Sequence, residues 1–280
     1  MRPSTEEIAR IVRMALDEDA PWGDLTSQAL IPADAPVKAH LVAHEEGVFS
    51  GQDIFIAAMS LMDPGVTTSF RVSDGESFFK RQILADVQGL ARSILQAERV
   101  ALNLVQRMSG IATMTAKYVA AAAGTKARIV DTRKTTPGLR VLERYAVRCG
   151  GGHNHRFSLS DAVMVKDNHL ATLKTGNLTE ALRTMRERLP HTVHVEVEVD
   201  RLEQIETILA ARVDTILLDN FSAEDMQTAV QQIKGRALVE ASGGITLGRI
   251  AEIAATGVDI ISVGALTHSV RALDIGLDMQ

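Results

Sequence analysis

Past residue 125 the chain alternates two kinds of segment. Short runs rich in β-branched residues recur as ARIVDT (127–132), DAVMVKD (161–167), TVHVEVEV (192–199), DTILLDN (214–220), RALVEAS (236–242) and DIISVGA (259–265). Between most of them lie stretches with apolar residues at helical spacing, each opened by a start signal. These are Asn177 with Glu180 before ALRTMRERL, Ser222 with Asp225 before MQTAVQQI, and Thr246 before LGRIAEIAA. Strand and helix alternating at a spacing of roughly 20–30 residues predict parallel βα units. No dinucleotide-binding glycine fingerprint accompanies them, so the pattern predicts a barrel, complete or partial.

The first third reads differently. MRPSTEEIARIVRMALDEDA predicts an amphipathic helix with a Ser4–Glu7 capping box. Alternating segments at 37–44 and 67–73, with turn signals at 63–65 and 74–75, add strands and predict a small α+β unit. From about 82 to 123 the pattern turns helical, with breaks expected near Gly89 and Gly110.

Composition narrows the function classes. A length of 280 residues allows one large α/β domain or two unequal ones. The net charge of −5 argues against nonspecific nucleic-acid binding, so any positive field is local. The single cysteine, Cys149, excludes an intrachain disulfide and suits a reducing cytoplasm. Charges interrupt every apolar run of the first helix, which therefore reads as neither signal peptide nor membrane span. A cytoplasmic protein without a membrane partner is the expectation, with Cys149 and Trp22 in packing roles.

In a βα barrel the chemistry sits at the C-terminal ends of the strands. Those ends deliver Arg133 and Lys134; Lys166 and Asp167; Glu198; Asp219 and Asn220; Ser242, Gly243 and Gly244; and Gly264. Arg156 and two histidines follow GGG at 150–152. His153 and His155 lack a thiolate partner or HExxH spacing, which disfavours zinc. His155 is expected as a neutral hydrogen-bond donor in an anion pocket and His153 as a shaper of its loop. Lys166 is either a rim cation or a Schiff-base nucleophile. Glu198 and Asp219, amid cations, suit either Mg²⁺ carried by a polyphosphate or ion pairs with Lys166 or Arg156. Glu196 and Glu198 point the same way, and Glu198 is preferred because it lies nearer the strand end. The turns SGGI and VGALTHS offer free N–H groups to phosphate.

The stretches DTRKTTPGLR, YAVRCGGGHNHR, KDNH, EVEVD, LLDN, SGGI and TGVDIISVGALTHSVRALDIGLDM resemble the quinolinate phosphoribosyltransferases of NAD biosynthesis. The likeness extends upstream through GDLTS (23–27) and residues 91–113. It implies an α/β fold of two parts. One is an N-terminal α/β sandwich domain, residues 1–110, joined by the C-terminal tail 268–280. The other is a partly open βα barrel catalytic domain, residues 111–267. It implies quinolinate and phosphoribosyl pyrophosphate as substrates and nicotinate mononucleotide, pyrophosphate and carbon dioxide as products. By motif, Arg99, Thr132, Arg133, Lys134, His155, Arg156 and Lys166 correspond to the anion cage. Glu198 and Asp219 correspond to the magnesium and ribose-side carboxylates. Ser242, Gly243, Gly244, Val263, Gly264 and Ala265 correspond to the phosphate turns. Lys134, Lys166, Glu198 and Asp219 are the implied catalytic residues. A homodimer is also implied, with Arg99 of one subunit completing its neighbour's site. The rival readings are a paralogue with another substrate, an aldolase using Lys166, and a non-enzymatic anion-binding protein.

Overall fold

The computed structural model describes residues 2–172 and 177–280, which divide into two compact units. The first comprises Met1–Ala116, Thr135–Gly151 and Leu266–Gln280, and the second Lys117–Lys134 and Gly152–Ala265. The stretch Thr135–Gly151 thus groups with the first unit, although the sequence reading counts it with the barrel. No helix among the described residues is long and apolar enough to cross a membrane.

The first unit opens with α1 (Thr5–Asp19) and α2 (Leu25–Leu30). Ser4 Oγ accepts the Glu7 N–H, and Glu7 Oε2 accepts the Ser4 N–H, so the expected capping box is present. Ile8, Ile11, Val12 and Leu16 form the buried stripe of α1. There follow β1 (Pro36–Ala43), β2 (Gly47–Val48), α3 (Gln52–Met62), β3 (Thr67–Phe70), β4 (Ser77–Phe78), β5 (Ile83–Leu90) and α4 (Ala91–Ala121). The stretch 83–90, expected to be helical, is a strand. It lies between β1 and β3 with antiparallel pairing on both sides, and those ladders outweigh its local periodicity. Nor does α4 break at Gly110. A Cβ there would run into the Arg271 carbonyl, so this glycine serves close backbone approach within the helix.

The second unit contains β6 (Arg128–Val130), and α5 (Arg140–Cys149) returns to the first. Then come β7 (Val163–Val165), α6 (Asp167–Thr172), α7 (Leu178–Glu187), β8 (Val195–Val199), α8 (Ile205–Leu209), β9 (Thr215–Asp219), α9 (Ala223–Ile233), β10 (Leu238–Ser242), α10 (Ile250–Ala255) and β11 (Ile260–Ser262). The chain ends with α11 (Ala265–His268) and β12 (Ile275–Met279), which pairs with β1 at the edge of the four-stranded sheet β12-β1-β5-β3. Asn177 and Ser222 cap α7 and α9 through their side chains as expected. Thr246 makes no such cap, and a single 3₁₀ turn, Leu247–Arg249, precedes α10 instead.

All ladders of the second unit are parallel, in the order β6-β11-β10-β9-β8-β7. Read around a ring, this is chain order with one ladder missing, between β6 and β7. The sheet is therefore a partly open barrel. At the open seam, residues 152–155 lie along β6. The His153 N–H donates to the Ile129 carbonyl (2.8 Å), and the Asp131 N–H to the His153 carbonyl (3.2 Å). His153 thus shapes its loop through the backbone.

Candidate active site

Alternation along the strands decides which side chains meet inside this unit. On β8 the valines 195, 197 and 199 are buried while Glu196 and Glu198 share the opposite face. On β9 and β10 the same period exposes Leu217 and Asp219, and Glu240 and Ser242, to a common cavity. That cavity has a volume of about 410 Å³. Its wall brings together Thr132, Arg133, Lys134, His155, Arg156, Lys166, Glu198, Asp219, Ser242 and Gly243, all predicted from the sequence. Met164, Leu217, Glu240 and Ser262 complete it.

Five predicted residues do not line it. Arg99 is exposed on α4, in the first unit. Gly244 follows Gly243 in the turn after β10, both at positive φ. Val263 is buried, and its N–H donates to the Val130 carbonyl (3.0 Å). Gly264 and Ala265 lead into α11.

The cations differ in their commitments. Lys166 Nζ donates to Glu198 Oε2 at 2.9 Å, the ion-pair reading for that carboxylate. An amine so engaged is poorly placed to attack a carbonyl, which weighs against the Schiff-base alternative. Arg156 Nη1 donates to the Ala162 carbonyl (2.8 Å) just before β7. Burial, and then the neighbouring Arg133 charge, push the Arg156 pKa down. Arg133 Nε is buried and has no hydrogen-bond partner among the described residues. A buried guanidinium donor left unpaired is costly, and an anion in the cavity would satisfy it.

Asp219 Oδ2 accepts from Asn220 Nδ2 (2.8 Å), and Asn220 takes left-handed φ of 57°. Gly243, at φ +86°, packs against this pair: a Cβ there would strike Asn220 Oδ1 and lie 2.8 Å from Asp219 Oδ1. The glycine turn thus abuts the strand-end acid.

Below these groups lies a cluster that sequence reasoning missed. Asp131, fully buried, accepts the His155 N–H on Oδ1 (2.8 Å) and Asn154 Nδ2 on Oδ2 (2.5 Å), anchoring the seam segment. His155 Nε2 stands 3.2 Å from Glu196 Oε2 and 3.4 Å from Glu240 Oε1. Its Nδ1 lies 2.7 Å from the Arg156 N–H. His155 is thus not the free donor expected of it, because both ring nitrogens already have protein partners. Burial works against charge on the ring, but hydrogen bonds to Glu196 and Glu240 outweigh it and raise its pKa. Burial also raises Glu196. The Arg156 N–H needs a lone pair on Nδ1, so the spare proton of this cluster belongs on the carboxylate side. The overlooked signal was a lone glutamate inside each of two short apolar strands, VEVEV and LVEAS, in phase with the cavity-lining positions.

Barrel, strand-end cavity and gathered cations define a protein that binds small, multiply charged anions at the mouth of a βα barrel. Comparison with known proteins is more specific. The descriptions "Quinolinate phosphoribosyl transferase, N-terminal domain" and "C-terminal domain" match residues 24–109 and 111–278. The chain belongs to the quinolinate phosphoribosyl transferase family. It is 49% identical over 277 residues to the nicotinate-nucleotide pyrophosphorylase [carboxylating] of Mycobacterium leprae, covering 96% of this chain and 95% of that protein. It is 40% identical over 295 residues to a decarboxylating quinolinate phosphoribosyltransferase of Nicotiana tabacum, covering 99% of this chain and 83% of that one. The solved nicotinate-nucleotide pyrophosphorylase of Francisella tularensis superposes with a TM-score of 0.93 at 38% identity, over 100% of this chain and 98% of that one.

Proposed function

We propose that the protein transfers the phosphoribosyl group of phosphoribosyl pyrophosphate to quinolinate. Decarboxylation accompanies the transfer, which yields nicotinate mononucleotide, pyrophosphate and carbon dioxide. The observation that carries this reading is the unpaired, buried Arg133 Nε in a cavity that also holds Lys134, Arg156 and Lys166. Such a cavity fits a ring bearing two carboxylates. At an effective dielectric of about 20, one cation–carboxylate pair at 4 Å contributes roughly 4 kcal/mol before desolvation.

Arg133, Lys134 and Arg156 hold the dicarboxylate so that the pyridine nitrogen faces the anomeric carbon. The nitrogen's lone pair forms the new C–N bond as the bond to pyrophosphate breaks. Positioning of this kind can supply on the order of 7–11 kcal/mol. The pyridinium then accepts the electron pair released when the adjacent carboxylate leaves as carbon dioxide, and a proton replaces it on the ring. No protein nucleophile is needed. Ser242, Gly243 and Gly244 after β10, and Val263, Gly264 and Ala265 before α11, are the phosphate turns of this reading.

Glu198 and Asp219 are the candidates for holding Mg²⁺. Both are oxygen donors at adjacent strand ends lining one cavity, and each has one carboxylate oxygen engaged by a neighbouring side chain (Lys166 and Asn220). That donor set suits an ion which keeps most of its shell for water and substrate phosphates. When bound, Mg²⁺ would neutralise charge on the departing pyrophosphate. The reading further includes a cytoplasmic homodimer in which Arg99, exposed on α4, reaches a neighbouring subunit's site.

The test mixes purified protein with Mg²⁺, phosphoribosyl pyrophosphate and either quinolinate or nicotinate. Equal release of pyrophosphate and carbon dioxide with quinolinate, and none with nicotinate, is expected. Turnover of nicotinate alone would transfer the reading to a paralogue of the same fold.

A further inference from the structure

We propose that His155 is a positioning residue for Arg156, clamped by Glu196 and Glu240, and not a ligand of the substrate anions. Three separate elements converge on its ring. It rides on the seam segment beside β6, Glu196 comes from β8 and Glu240 from β10. The two glutamates are 4% and 2% exposed. Two acids this close in an interior are tolerable only where a donor bridges them, and Nε2–H, 3.2 and 3.4 Å away, is that donor.

The other nitrogen fixes the tautomer. Nδ1 accepts the Arg156 N–H at 2.7 Å, so the proton of the neutral ring is on Nε2. A protonated Nε2 cannot coordinate a metal, and Nδ1 has a donor opposite it where a metal-bound histidine would need an acceptor. Although histidine and two acids make a plausible ligand set, here they form a hydrogen-bonded clamp. The output of the clamp is Arg156. Its N–H is pinned by the ring and its guanidinium by the Ala162 carbonyl, which fixes where its charge enters the cavity. Asp131 holds the near end of the segment through the His155 N–H.

This inference rests on the proposed function in taking Arg156 as a carboxylate-binding group, so it is tested in two arms. In the first, ¹⁵N NMR of histidine-labelled, substrate-free protein reads the ring directly. An Nε2–H tautomer with bare Nδ1 is expected, unchanged by Zn²⁺ or by saturating quinolinate. An Nδ1–H ring, a doubly protonated ring at neutral pH, or a change of protonation pattern on adding either ligand would overturn the clamp. The second arm is kinetic. Glu240→Gln and Glu196→Gln should each raise the quinolinate KM about tenfold, as losses of supporting partners commonly do, with kcat nearly unchanged. Glu240→Gln added to His155→Ala should cost nothing beyond His155→Ala alone, because the acid acts only through the ring. Multiplying losses in that double variant would overturn the proposal. If the wild type does not turn over quinolinate, the functional reading fails while the NMR arm still decides the clamp.

Discussion

Lys166 Nζ and Glu198 Oε2 meet at 2.9 Å across the rim of the barrel, joining the C-terminal ends of the adjacent strands β7 and β8. The contact holds one of the four cavity cations beside one of the two rim carboxylates. It also orients the acid that the proposed function assigns to Mg²⁺.

Glu198→Gln keeps the shape and removes the charge. The Mg²⁺ concentration for half-maximal rate is expected to rise several-fold and kcat to fall by about 10², the scale of losing one electrostatic partner of the reacting groups. Steady-state rates across a magnesium titration check this. An unchanged magnesium dependence would remove Glu198 from the proposed ion site.

Gly243 is the position at which the turn after β10 tolerates no side chain, since a Cβ meets both Asn220 and Asp219 at φ +86°. Gly243→Ala is expected to lower stability by about 1–3 kcal/mol and to weaken phosphoribosyl pyrophosphate binding. Gly248, whose added Cβ meets nothing within 4 Å, is the control, and Gly248→Ala should be neutral within about 0.5 kcal/mol. Urea unfolding of the two variants makes the comparison.

At the opposite ends of the strands, Asp214 ties the barrel floor together. Hydrogen bonds from Arg186, against some opposition from burial, hold its pKa below the ordinary carboxylate range, and the Val195 N–H (2.7 Å) adds to the effect. A depressed folded-state pKa contributes stability that is present above the unfolded pKa and lost as pH falls through the folded one. Asp214→Asn should therefore cost about 1–2 kcal/mol at pH 7, with the pair discounted for its partial exposure. The difference from wild type should shrink below about pH 4. Thermal unfolding at both pH values reads it.

Much of the second unit could be read from the chain because its strands are short, apolar and separated by signalled helices. Asn177 and Ser222 stand where their helices begin. Strand-end logic found ten of the cavity's residues, since a period of two and a barrel leave few places for polar groups to go. The misses have physical causes. ILADVQGL runs into α4 without a turn, and only its two neighbouring ladders make it a strand. Gly110 looks like a breaker until the Arg271 carbonyl is seen against it. Glu196 and Glu240 were hidden because an acid inside an apolar run has no visible partner until three chain segments meet at His155. Arg99 carries no local signal at all, and its role comes only from the family resemblance.

The central claim is that the cavity recognises two carboxylates through Arg133 and its neighbours, and calorimetry of quinolinate and nicotinate binding tests it most directly. Wild-type protein should bind quinolinate at least about tenfold more tightly than nicotinate, on the scale of one charged hydrogen bond at about 1.5–3 kcal/mol. Arg133→Ala should abolish most of that difference, and Arg133→Lys should not restore it, because the planar fork is lost. Equal affinity of the wild type for the two acids, or an undiminished preference in Arg133→Ala, would contradict the account.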